Sequence, residues 1–175
     1  MVKVHGKYIT ICARLMTLYK DAQKKADQEL FRKIGKHYEE LEPEGWYDIE
    51  LIDLFMNAYK KASPTGRTAM VTMGRQIFPL IKRTVGLPDF KTPLDAFKYE
   101  SQTFLMDHKD DEYSTVIPRK ILKAEKGHVT IEAPSPGYDP LLFKGVYVGI
   151  LEMLGIKTGK VELIDESKSI FEIKW

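Results

Sequence analysis

A single cysteine, Cys12, stands in 175 residues, so neither an intrachain disulfide framework nor a multi-cysteine metal site is available. No apolar run approaches the roughly 18 residues of a membrane span. The opening MVKVHGKYIT also lacks the hydrophobic centre of a secretory signal. Together these absences predict a cytoplasmic protein. Charge bias is missing as well: 27 Lys and Arg face 25 Asp and Glu, a net charge of +2, which gives no long-range field to draw polyanions. The basic pairs Lys24-Lys25, Lys60-Lys61, Lys82-Arg83 and Arg119-Lys120 are scattered without interleaved stacking aromatics. They read as solvated faces, and no nucleic-acid partner is expected.

Catalytic signatures are equally scarce. There is no Gly-x-Ser-x-Gly elbow, phosphate loop or dinucleotide fingerprint, and Gly66 and Gly74 precede Arg where a phosphate loop needs Lys followed by Ser or Thr. The stretch Asp107-His108-Lys109-Asp110-Asp111-Glu112 offers one imidazole and four carboxylates. It has neither calcium-loop spacing nor the paired histidines of a zinc helix, and reads as a solvated acidic loop. His5, His37 and His128 are isolated in sequence, and Cys12 has the apolar helical neighbours of a structural thiol. The expectation is a protein that binds rather than catalyses, with no metal.

What is present is the composition of an ordinary globular chain, 43% hydrophobic and 30% charged, sized for one domain over residues 1–175. Apolar residues recur at helical spacing over residues 8–22, and Leu30, Phe31 and Ile34 mark a second helix closed by Gly35. Residues 42–47 are turn-like, and Asp48 is placed to cap a helix over residues 49–62 whose inward face is Leu51, Ile52, Phe55, Ala58 and Tyr59. Ala69, Met70, Met73, Ile77, Leu80 and Ile81 mark a helix that Pro79 is expected to kink or split. Thr92 and Pro93 then open a helix through Met106.

Beyond it the period changes. Residues 116–124 and 129–133 flank a Glu125-Lys126-Gly127 turn, Pro140 opens a helix that Gly155 closes, and Val161 to Trp175 forms a second hairpin. The predicted fold class is α+β: a helical subdomain over about residues 1–106, then a β-β-α-β-β half with an antiparallel sheet over about residues 107–175.

The phrase Gly137-Tyr138-Asp139-Pro140, with Gly145, Gly149, the closing hairpin, the terminal Lys174-Trp175 and the helical Gly74-Arg75-Gln76, resembles haem-nitric oxide binding (H-NOX) domains. The same superfamily holds 4-vinyl reductase domains and vesicle-tethering subunits, which lack haem. In its haem-binding members a tyrosine, a serine and an arginine at alternate positions before that glycine hold the propionates, and an upstream helical histidine ligates iron. Counting back from Gly137, those positions are Ile131, Ala133 and Ser135, and the helix over residues 93–106 carries no histidine, although His108 lies two residues beyond it. The zinc-associated cysteines of the vinyl reductases are missing too. The resemblance therefore implies the fold without the haem clamp, and no cofactor.

By the same resemblance a pocket would lie between the helical subdomain and the helix over residues 93–106. Its wall would be Phe97, Ser101 and Phe104, opposed by Met70, Met73 and Ile77, with Ser101 as an orienting hydrogen-bond donor. A wider aromatic and Met-rich set, Trp46, Tyr47, Phe55, Met56, Tyr59, Met70, Met73 and Phe78, fits either core or cavity. Two functions follow: a non-catalytic sensor for a small apolar molecule in signalling, or an interaction module with a filled core that forms a homodimer or docks a signalling partner.

Overall fold

The computed structural model describes residues 1–110, 112 and 115–175. Its first helical stretch is broken where one core helix is predicted: α1 (Gly6–Leu15) passes through a 3-10 turn (Met16–Tyr19) into α2 (Lys20–Ile34). The change of direction lets Ile9, Cys12, Ala13 and Met16 face the core from one element and Ala22, Ala26 and Leu30 from the next. Gly35 ends α2 with φ 67°, its N–H donating to the Phe31 carbonyl at 2.7 Å. Phe31, predicted inward, is exposed and stacks on His37 with ring centroids 4.6 Å apart.

A small sheet lies inside the half that reads as helical. Strand β1 (Lys3–His5) pairs antiparallel with β2 (Trp46–Asp48) and with β3 (His108–Lys109). Strands of two or three residues are too short for alternation to show in sequence. Asp48 therefore closes a strand and does not cap α3 (Glu50–Ala62), whose N-cap is Ile49 without a side-chain bond.

Helix α4 (Ala69–Thr84) runs unbroken through Pro79, so of the predicted kink or split the split does not occur. The carbonyl that Pro79 cannot serve belongs to Arg75, and it lies against Gly149, where a Cβ would collide with it. Helix α5 (Pro93–Met106) opens as expected, with Thr92 Oγ1 accepting from Asp95 N and the Asp95 carboxylate accepting from Thr92 N.

Strands β4 (Lys120–Glu125), β5 (His128–Glu132), β6 (Lys160–Asp165) and β7 (Ile170–Lys174) form one antiparallel sheet in the order β4-β5-β7-β6. The first hairpin begins at Lys120, four residues after the predicted start, because the chain from Val116 to Arg119 runs irregularly and turns Arg119 inward. Val129, Ile131, Val161, Phe171 and Ile173 cover the sheet's inner face, against which α6 (Pro140–Met153) packs. Asp139 caps α6 by accepting from Leu141 N at 3.0 Å and is held by Arg67 and Lys60 at 2.8 and 3.0 Å. Trp175 is packed edge-on to Phe97, centroids 6.0 Å apart. The whole is α+β, with buried side chains of helices and sheet in one cluster. No helix among the described residues is long and apolar enough to cross a membrane.

Candidate functional site

Helices α4 and α6 cross in close contact. A Cβ on Gly74 would collide with the Leu142 carbonyl, and one on Gly145 with the Val71 carbonyl. Away from that crossing, bulky side chains hold α1, α4, α5 and α6 apart around a partly open cavity of about 230 Å³, with exposed Val85 at its edge. Its walls are mainly apolar: Ile11 and Cys12 from α1, Ile77, Phe78 and Ile81 from α4, Tyr99 and Phe104 from α5, and Leu142, Phe143 and Val146 from α6. Lys7, Tyr8, Glu100, Thr103, Asp107 and Tyr138 supply its polar atoms.

Of the residues predicted to line a pocket, Ile77 and Phe104 border this cavity. Met70, Met73 and Phe97 are packed in the surrounding core, and Ser101 Oγ donates to the Phe97 carbonyl of its own helix at 2.9 Å. In the wider aromatic set, Phe78 lines the cavity, Phe55, Met56 and Tyr59 are core, and Trp46 is exposed.

Beside the cavity lies a charged cluster that sequence reasoning missed. Glu100 and Arg119 are both buried, with side chains 5% and 1% exposed. Arg119 Nε lies 3.0 and 2.9 Å from the two Glu100 oxygens, and Nη2 lies 2.8 Å from Oε1. The guanidinium carbon sits 3.7 Å above the Phe104 ring and 4.4 Å from that of Phe143, so the cation is shared between a carboxylate and two ring faces. Arg119 is thus not a solvated basic residue. Burial pushes the Glu100 carboxyl up, with Arg119 acting in the opposite direction. The Tyr147 hydroxyl, fully buried beside this pair, has no hydrogen-bond partner of normal geometry among the described residues.

His108 also departs from the solvated-loop reading. As part of β3 it alternates inward while Lys109 points out, is 4% exposed, and stacks on Phe104 with centroids 3.9 Å apart. Nδ1 lies 2.6 Å from the Phe104 carbonyl and Nε2 2.8 Å from the Tyr138 hydroxyl. Burial lowers its pKa to about 4. Asp107 completes the polar end, accepting from the Tyr8 hydroxyl at 3.1 Å and paired with Lys7 at 2.8 Å. Asp110 accepts from Val116 N, and Asp111 of that acidic stretch lies outside the described residues. The described residues contain no group of three His, Cys, Asp or Glu side chains arranged to hold a metal ion. Burial pushes the Cys12 thiol up to about 12 and keeps it protonated.

No protein-family model matches the chain, and no curated protein matches it significantly. Among solved structures, an Fe(II) unliganded H-NOX protein mutant from K. algicida aligns with 97% of this chain and 94% of its own, with a TM-score of 0.64 at 12% identity. At that identity the likeness is one of fold, and the fold is the H-NOX-like one that the glycines and the closing hairpin resemble.

Proposed function

We propose that the chain is a single ligand-binding domain of sensor type that admits a small apolar molecule without catalysing its conversion and without haem. The observation carrying this reading is the cavity of about 230 Å³, walled by aliphatic and aromatic side chains with a few polar groups at one end, the usual chemistry of a small-molecule site. A dry apolar cavity of about 150 Å³ already holds benzene. The space therefore suits one or two rings.

Haem does not fit these residues. A tetrapyrrole needs several times the room of a benzene ring, and its propionates need cationic or hydroxyl partners. Ile131 and Ala133 are fully buried in the core, and Ser135 Oγ is bonded to the Ala133 carbonyl at 2.9 Å. Arg119 is committed to Glu100, and both nitrogens of His108 are engaged.

Thermal denaturation of the full chain with and without saturating benzene tests the reading. Ligand that binds only the folded state raises the midpoint, and Ile77→Phe, which fills the cavity from its α4 wall, should abolish that rise. Titration with haem should produce no Soret band that survives gel filtration. If benzene leaves both proteins unchanged, the interaction-module reading takes its place. Exposed Ile117, Ile121 and Leu122, on and beside the edge strand β4, would supply its surface.

A further inference from the structure

The polar end of the cavity has a consistent sense. A carbonyl can only accept, so the 2.6 Å contact between His108 Nδ1 and the Phe104 oxygen places a proton on Nδ1. The imidazole is buried and neutral at ordinary pH, which leaves Nε2 bare. The Tyr138 hydroxyl, 2.8 Å from Nε2, must then donate to it and keeps only lone pairs for other partners. The Tyr8 hydroxyl spends its proton on Asp107 at 3.1 Å, and the Thr103 hydroxyl spends its own on the Tyr99 and Glu100 carbonyls at 3.1 Å. Glu100 accepts from Arg119 and Asp107 from Lys7, which leaves the Lys7 ammonium, also paired with Glu44, and the Tyr99 hydroxyl as the remaining N–H and O–H donor groups among these lining residues.

Oxygen lone pairs therefore dominate the polar lining, and the rings of Tyr8, Phe78, Tyr99, Phe104, Tyr138 and Phe143 stand around the same space. We propose that the cavity selects an aromatic molecule of one or two rings bearing a hydrogen-bond donor, an aryl alcohol or an indole-type N–H, over isosteres without the donor. The selectivity rests on the ligand-binding reading above and adds a chemical class to it. Its physical source is asymmetric: a donor meets a waiting acceptor, whereas a ring oxygen placed there faces other lone pairs and desolvates them without return.

Calorimetric titration of the full chain with indole and with benzofuran, which replaces the ring N–H by oxygen at nearly equal shape, separates the two claims. Indole should bind roughly tenfold tighter than benzofuran, and Ile77→Phe should remove binding of both. Nitrogen-15 NMR of the histidine side chains should show His108 as the neutral Nδ1–H tautomer. Equal binding, tighter benzofuran binding, or an Nε2–H tautomer at His108 would overturn the donor selectivity while leaving the cavity reading in place. Failure of both ligands to bind overturns the cavity reading and the selectivity with it.

Discussion

Helices α4 and α6 meet in two different ways. At Gly74, Gly145 and Gly149 their backbones touch and no side chain fits between them. Around Ile77, Phe78, Ile81, Leu142, Phe143 and Val146, the same two helices, joined by α1 and α5, border a partly open space. Glycine permits close approach and so makes a rigid seam, while branched and aromatic side chains that do not interdigitate completely leave a gap. The polar cluster lies against the open region. One contact of the pair is close-packed, and the other leaves space between side chains.

The open region is most sensitive to the buried ion pair beside the cavity. Glu100→Ala strands the Arg119 guanidinium among Phe104 and Phe143 and should cost about 3–5 kcal/mol in chemical denaturation. The double variant Glu100→Leu with Arg119→Met should recover most of that loss, because uncompensated charge and not lost attraction is the main penalty. A double variant as unstable as the single one would point instead to a packing role for the pair.

A smaller effect follows from His108. Its folded pKa of about 4 lies below the ordinary 6.5, so between these values the unfolded chain binds more protons than the folded one. The stability from neutral His108 is complete above pH 6.5 and is lost as pH falls toward 4, at up to about 1.4 kcal/mol per pH unit. Stability curves measured from pH 7 to 4 should be flatter in His108→Phe than in the parent chain.

The seam itself is tested by Gly74→Ala. The added methyl meets the Leu142 carbonyl, and a rigid backbone atom cannot give way as a side chain would. The gain in helix propensity, about 1 kcal/mol, is outweighed by overpacking, for a net stability loss of about 2 kcal/mol, read as a lower urea midpoint. The smallest change belongs to Tyr147→Phe, which removes a buried hydroxyl lacking a normal hydrogen bond. It should lower stability by no more than about 0.5 kcal/mol, and a larger loss would reveal a bond to Glu100 or Arg119 that the geometry does not support.

How much of this was legible depended on the reach of each interaction. The Thr92–Asp95 capping box, Gly35 as a helix end, Asp139-Pro140 at the start of α6, and the two hairpins all arise within a few residues, and each could be read from spacing and turn chemistry. The polar end of the cavity could not. Glu100 stands three residues after Phe97 and four before Phe104, on the apolar stripe of α5, and that position was a signal. Ser101 shares the stripe and is the less costly residue to bury, so the stripe alone does not single out Glu100. Arg119 gave no local cue at all: it adjoins Lys120, and its neighbours Ile117, Ile121 and Leu122 point outward while it points in.

The sequence by itself determined which segments become helices and hairpins, where most of them stop, and that the fold is α+β with an H-NOX-like layout, since periodicity, caps and turn residues act locally. Only the tertiary structure decided that Glu100, Arg119, His108 and Tyr138 converge beside one cavity, and which of their protons remain to be shared. Partners 19 and 30 residues apart in the chain are brought together by how α5, α6 and the irregular chain before β4 pack. No spacing rule encodes that arrangement, because burial and hydrogen-bond direction are properties of the assembled interior.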